Sequence, residues 1–508
     1  MATLPTSTTE KSYRSLTALL VILITFRVLL MVLVPHMDSS EARFAEISRK
    51  MVETGDWITP QLDYGIPLRA YPPLSMWMSA LGIDLFGVNE FGSRVFIFLS
   101  SMGVLALVAR AVRRETDAFT ALAAATLLMA MPLFFYCSAA VMTDLALVLG
   151  TTMAMAGFRI ALMENSRPWG YVFFAGLAVG LLTKGPLALA LVLPPVMGWI
   201  SLTKNWKLAG RSIPWFTGIL LMLALAMPWY LIAEKKIPGF SDYFFVGEHW
   251  RRFMQKGWQG DLTGKVHLQA PGMVWLYLPL LIFPWFLGFL AIPFRKWKQG
   301  KSWALAEQGR GLYWLLWAVW PLVLFTPSRD IAATCLLPSL PAVAILLAAL
   351  VHRSSNRGFP RKRFHPLHPA LIAACLVGLF ITGIVFILMP DLAPHHTERA
   401  LVEYFHKERG AEDRLLYFGL RRASAEFYSE GEAAHTDSPE ALIERLNSPG
   451  RLFVVMTAHS LEKLPPNIQR RLRPDGATEK KKPSLYVERT DTPRLNGIDP
   501  FQTYPIGS

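Results

Sequence analysis

The sequence predicts a polytopic α-helical membrane protein that carries a small α/β domain at its C-terminal end. Three observations lead there. Hydrophobic residues make up 53% of the 508 positions and charged residues only 17%, a balance that water-soluble domains of this size seldom reach. Apolar runs near the roughly 20 residues needed to cross the hydrocarbon recur along the first 390 positions. After position 391 the pattern changes to short strand-like runs between amphipathic helical stretches.

Taken in order, candidate spans cover 15–35, 91–110, 118–137, 140–160, 168–184, 186–203, 213–233, 273–294, 311–327, 331–351 and 369–390, about eleven in all. Lys11 and Arg14 precede the first run and no small-residue cleavage pattern follows it, so it reads as an anchor running from the cytoplasm outward. Alternation from there puts Arg110, Arg113 and Arg114, then Lys204, Lys207 and Arg211, then RKWKQGK at 295–301 and RKR at 361–363 on the cytoplasmic side, as positive-inside topology requires. The same alternation puts 36–90, 235–272 and everything after about 391 outside. The formal charge of +14 sits largely in the short connectors, which argues for a bilayer and against nucleic acid as the partner. Cys137, Cys335 and Cys375 all fall in apolar runs, so neither a disulfide framework nor a thiolate zinc site is expected. In the tail, RLLYFGL (414–420) and RLFVVMTA (451–458) read as strands, with 398–408 and 437–447 as amphipathic helices. The expected division is a membrane domain over 1–390 and an external α/β domain over 391–508.

Chemistry concentrates in the external segments. HMDSSEARFAEISRKM (36–51) follows directly on an apolar run and is dense with acids and bases. Phe44, Ile47 and Met51 recur at helical spacing, so the segment reads as an amphipathic helix in the interface with its carboxylates facing water. Its D-S-S-E start also has the pattern of a capping box, Asp38 capping the first turn and Glu41 reaching back.

The stretches EARFAEISRKMVETGDWITPQL (41–62) and YPPLSMWMSALGIDLFGVNEFGSR (71–94) resemble the first external loop of the bacterial aminoarabinose transferases that modify lipid A, and of the wider protein O-mannosyltransferase superfamily. The shared elements are Glu41, Arg43, Ala45-Glu46-Ile47, Gly55-Asp56-Trp57, Pro72-Pro73-Leu74, Phe86-Gly87, Asn89-Glu90 and Arg94. Similar patterns continue in MTDLAL (142–147), TKGPLAL (183–189), MPWYL (227–231), FFVGEHWRRF (244–253) and SRDIAATCLLPSLPA (328–342), and their order holds over most of the first 350 residues. The resemblance implies a GT-C-type glycosyltransferase fold of about 11 to 13 spans. It also implies transfer of a sugar from a polyprenyl-phosphate donor, on the periplasmic side of the bacterial inner membrane, to lipid A, another envelope glycan or a protein. The chemistry fits that reading. An inverting transfer needs a carboxylate to take the acceptor's proton and cations around the departing lipid phosphate. No G-x-G-x-x-G nucleotide loop is present, and a lipid-borne donor needs none.

The sequence departs from the family where the chemistry lies. The family's Asp-Glu-x-Arg reads Ser40-Glu41-Ala42-Arg43, its Glu-Lys before the double proline reads Ala70-Tyr71, and a late tyrosine near the lipid phosphate corresponds to Cys335. Glu41 is therefore favoured over Asp38 as base, with Asp144 as a second carboxylate that pairs with Arg43 or Arg94 or orients the acceptor. Arg43, Lys184, Arg251 and Arg252 are the candidates to replace the missing lysine at the donor phosphate, with Tyr71 beside them and Arg69 available. Lys184 also suits a helix C-terminus, and Arg252 stands in a family-like G-E-H-W-R-R-F context. Glu248 and His249 offer at most two ligands for a divalent metal, a weak set. A flippase would need charges along a cavity through several spans, whereas these lie in two external segments. The enzyme is the favoured reading, and the departures at 40, 70 and 71 keep an inactive relative that still binds polyprenyl phosphate as the alternative.

Overall fold

The chain alternates between long apolar helices and short polar turns, and glycine decides how closely the helices approach. The computed structural model describes residues 7–38, 40–252, 270–286, 297–328, 331–356, 397–474 and 484–488. The expected span at 369–390, its RKR connector and Cys375 lie outside the described residues. Helices α1 (Ser7–Leu33), α2 (Glu41–Thr54), α3 (Leu74–Phe86), α4 (Glu90–Glu115), α5 (Ala118–Met129), α6 (Pro132–Cys137), α7 (Thr143–Glu164), α8 (Arg167–Lys184), α9 (Pro186–Thr203), α10 (Trp206–Ser212) and α11 (Trp215–Lys236) come first. A π-helix (Asp242–Arg251) follows, then α12 (Met273–Leu281), α13 (Trp297–Phe325), a 3-10 segment (Ala333–Ser339) and α14 (Leu340–Asn356).

Among the described residues, six helices are long and apolar enough to cross a membrane: Tyr13–Leu33, Glu90–Glu115, Thr143–Glu164, Pro186–Thr203, Trp215–Lys236 and Ala333–Leu350. The stretch expected as one span at 118–137 is two helices, α5 and α6, because Pro132 has no N–H to continue the ladder. The expected external loop at 36–90 contains α2, a small hairpin of β1 (Gln61–Asp63) with β2 (Ile66–Pro67), and the apolar helix α3.

Helix α7 is apolar around most of its circumference and is buried accordingly. It lies antiparallel to α8 in a register set by small residues. A Cβ added to Gly150 would stand 2.7 Å from the Gly180 backbone, one on Gly176 2.5 Å from the Ala154 nitrogen, and one on Gly157 2.9 Å from the Phe173 nitrogen. The backbones are in contact, as small-residue helix packing in membranes allows. Extended toward the start of α7, this register brings Asp144 against the end of α8 at Lys184. There the chain reverses at Gly185, whose φ of +61 and Phe244 neighbour leave no room for a side chain, and Pro186 opens α9.

The two ends of these helices carry different charge networks. At one end Glu164 meets Arg110 at 3.2 Å and Arg114 at 2.6 Å, and Glu115 meets Arg159 at 2.7 Å. At the other end lie the starts of α2, α4 and α7 and the end of α8. After residue 397 come α15 (Arg399–Glu408), β3 (Arg414–Phe418), α16 (Ala423–Tyr428), β4 (Ala434–Thr436), α17 (Pro439–Leu446), β5 (Leu452–Met456), β6 (Leu472–Pro474) and β7 (Ser484–Glu488). The strands form a mixed sheet in the order β4-β3-β5-β7-β6, parallel across β4-β3-β5 and antiparallel beyond. Alternation along β3 sends Leu415 and Tyr417 to Leu401 and Phe405 of α15, and Leu416 and Phe418 to Leu442 and Leu446 of α17. The strand and helix patterns expected at 398–458 thus appear as a sheet covered on both faces.

Candidate active site

Helix α2 is buried on all sides, which corrects the expectation of an interfacial helix with its carboxylates in water. Its apolar face, Phe44, Ile47 and Met51, packs with Met76, Ala80 and Ile83 of α3, as the periodicity requires. Its polar face is covered by α16, so Glu41, Glu46, Arg49 and Lys50 are all buried. Lys50 meets Glu426 at 2.8 Å, Arg49 forks onto Glu46 at 2.7 and 2.8 Å, and Tyr428 donates to Glu90 at 3.0 Å. The capping box does not form. Ser40 precedes the helix without a side-chain cap bond, and Asp38 instead accepts from the Ser424 backbone at 2.7 Å and its hydroxyl at 2.6 Å. Asp38 is thereby a docking residue for α16.

Glu41 sits in a buried node. Its Oε1 accepts from Arg94 Nε at 2.8 Å and from the Val141 N–H at 3.2 Å, with His36 Nδ1 at 3.4 Å. Arg94 also donates to the Met31 and Val34 carbonyls at 2.8 and 2.6 Å, which closes the last turn of α1. Burial alone would raise the Glu41 carboxyl, but Arg94 and then His36 outweigh it and hold it well below the usual carboxylate range. Burial and the Arg94 charge keep the His36 ring below its usual value.

A second node forms where α7, α8 and the π-helix meet. Lys184 Nζ donates to Asp144 Oδ1 at 2.7 Å, so the partner of Asp144 is neither Arg43 nor Arg94. Glu248, buried in the π-helix, accepts from Arg252 at 2.9 Å and from the Tyr243 hydroxyl at 3.1 Å. Tyr71 is close enough to all four charges to feel them: burial lifts its phenol above the ordinary value, Lys184 and Arg252 act against that, and Glu248 and Asp144 act with it. Cys335 is within electrostatic range of Lys184 as well. Positions 71 and 335, which depart from the family pattern, therefore share Lys184 as a charged neighbour. Arg43 reaches this edge indirectly, its guanidinium 5.6 Å from the Phe44 ring centre and that ring 5.6 Å from Tyr71. Arg251 is exposed and Arg69 half-buried.

His249 points Nδ1 at the Phe244 carbonyl, 2.8 Å away, and Nε2 at the Lys184 carbonyl, 3.0 Å away. It ties the end of α8 to the π-helix and turns neither nitrogen toward Glu248. The weak metal pair read from the sequence does not assemble in this arrangement, and no cluster of three or more metal-ligating side chains occurs among the described residues. The partner of Asp144 was beyond motif reading, but GLAVG at 176–180 is a small-xxx-small stripe, the one sequence signal that fixes the α7–α8 register.

Known proteins resemble this chain in sequence and in fold. Residues 8–244 match the family model described as dolichyl-phosphate-mannose-protein mannosyltransferase. The chain is 31% identical over 359 residues to the undecaprenyl phosphate-alpha-4-amino-4-deoxy-L-arabinose arabinosyl transferase of Edwardsiella ictaluri, covering 69% of this chain and 61% of that protein. It is 29% identical over 370 residues to the transferase of the same name from Erwinia tasmaniensis, covering 70% and 62%. The chain thus spans about three fifths of the length of these curated relatives. The crystal structure of ArnT from Cupriavidus metallidurans bound to undecaprenyl phosphate superposes with a TM-score of 0.73 at 18% identity, over 93% of this chain and 97% of that one. In sequence over residues 8–244 this multi-pass membrane protein is similar to the dolichyl-phosphate-mannose-protein mannosyltransferase family, and over nearly its whole length it shares the fold of ArnT.

Proposed function

We propose that the chain is an inverting glycosyltransferase of the bacterial inner membrane that takes a sugar from a polyprenyl-phosphate donor and delivers it to lipid A, another envelope glycan or a protein. In this reading residues 1–390 form the membrane domain, 391–508 a periplasmic α/β domain, and the segments 36–90 and 235–272 the periplasmic side of the site. The observation that carries it is the pair of cations, Lys184 on Asp144 and Arg252 on Glu248, gathered around Tyr71 at the helix ends opposite the Glu115 and Glu164 networks.

The donor phosphate competes with Asp144 and Glu248 for these two cations. Its arrival draws Lys184 from Asp144, which leaves that carboxylate beside the reacting sugar as an acceptor of protons. The acceptor oxygen attacks the anomeric carbon, the bond from that carbon to the phosphate oxygen breaks, and its electron pair stays on the polyprenyl phosphate. Lys184 and Arg252 stabilise that charge, and the acceptor's proton passes to Asp144. Asp144 is better placed beside these cations than Glu41, which is held by Arg94 and His36, and than Asp38, which is held by Ser424. The test is full-length protein in proteoliposomes supplied with undecaprenyl-phosphate-linked aminoarabinose and then other sugars, with release of undecaprenyl phosphate as readout. Release that needs an acceptor supports a transferase. Tight binding of every donor without release supports the second reading, a binding relative, which the departures at Ser40, Ala70 and Tyr71 keep open.

A further inference from the structure

We propose that Arg27, deep in the apolar helix α1, is a positioning residue for Asp144; this rests on the reading that Asp144 acts at the donor. An arginine in an apolar span is costly unless it is paired or functional. Arg27 is 2% exposed and spends its guanidinium on the end of α6: Nε donates to the Phe135 carbonyl at 2.8 Å and the Ser138 hydroxyl at 3.2 Å, and Nη2 to the Tyr136 carbonyl at 3.0 Å.

Helix α6 stops at Cys137 and α7 starts at Thr143, so 138–142 is unwound. Carbonyls freed by such a break must find donors inside the protein, since hydrocarbon offers none. Arg27 supplies them on one side of the break. In the middle, the Val141 N–H is held by Glu41 at 3.2 Å. The segment then passes Asp144 to Lys184 at 2.7 Å. Fixed at one end by Arg27 and at the centre by Glu41, the unwound turn has one way to enter α7, and that entry sets where the Asp144 carboxylate stands. The Arg94 closure of α1 at Met31 and Val34 holds the helix that carries Arg27.

Amide hydrogen exchange on the full chain in nanodiscs tests this, with Arg27→Met and Arg27→Lys compared with wild type. Arg27→Met should speed exchange about tenfold in peptides covering 138–146 and leave the interiors of α4 and α7 unchanged, with Arg27→Lys returning part of the protection. Where the proteoliposome assay yields a donor, Arg27→Met should lower kcat in step with Asp144→Asn at unchanged KM. Unchanged exchange at 138–146, or a uniform rise through α4 and α7, overturns the proposal. If wild type releases no undecaprenyl phosphate from any donor, the transferase reading fails, while the exchange pattern still decides the placement of the turn.

Discussion

Asp144 and Glu41 are both buried carboxylates paired with a cation, and what lies beyond each pair separates their roles. Beyond Asp144 stand Lys184, Tyr71 and Arg252; beyond Glu41 stand Arg94, His36 and helix ends. Asp144→Asn should lower transfer by about 10²- to 10⁴-fold, the usual loss of general-base help, while undecaprenyl phosphate still binds. Glu41→Gln leaves Arg94 buried without its counter-charge, a change worth about 3 to 5 kcal/mol, and should appear first as a lower melting temperature. Equal loss of transfer in a Glu41→Gln protein that melts normally would return the base to Glu41. Because the Glu41 carboxyl is held below its ordinary value, its stabilising effect is complete above that value and is lost as pH falls toward the lowered one. Motifs drew attention to Asp144, Lys184 and Arg252 one at a time. The Asp144–Lys184 pair depends on the α7–α8 register, which is set by glycines outside the MTDLAL and TKGPLAL motifs.

At the scale of elements, the docking of α16 on α2 joins segments more than 370 positions apart, and local patterning cannot report it. The apolar stripe of α2 was legible because periodicity records which face is buried; the cover on its polar face was not, because Lys50–Glu426 and Asp38–Ser424 are long-range pairs. For the same reason the D-S-S-E capping pattern is present in sequence and unused in structure. The strands and helices of the C-terminal sheet were legible, since short continuous apolar runs such as β3 and β5 are a local signal. Lys50→Met should loosen this docking and expose 423–430 to limited proteolysis while the membrane helices stay folded. Burial would raise the Glu426 carboxyl, but Arg421 and Lys50 hold it below its ordinary value, so the docking is strongest above that value and weakens as pH falls through the lowered one. Proteolysis at 423–430 that does not change between neutral and acidic pH would remove Glu426 from the interface energetics.

Across the whole molecule, the separation of charge networks carries the topology. Arg110, Arg114, Arg159, Glu115 and Glu164 gather at one end of the helices, and Glu41, Asp144 and Lys184 at the other. Six of the expected spans were legible because hydrophobic length is a composition signal, whereas α3 was hidden inside an expected loop because its 13 residues are too few to cross a bilayer. A cysteine placed at Arg113 should be labelled only from the cytoplasm, and a reporter after Ser508 should behave as external; cytoplasmic activity of that reporter would invert the assignment. The proposed replacement for the lysine absent at Tyr71 is Lys184 with Arg252, as the cradle for a lipid-borne phosphate. It is tested most directly by the affinity of the full chain in nanodiscs for undecaprenyl phosphate. Wild type should bind saturably, and Lys184→Gln and Arg252→Gln should each weaken binding by about 10- to 100-fold, the worth of a charge-assisted hydrogen bond. Equal affinity in wild type and both variants, or no saturable binding by wild type, would contradict it.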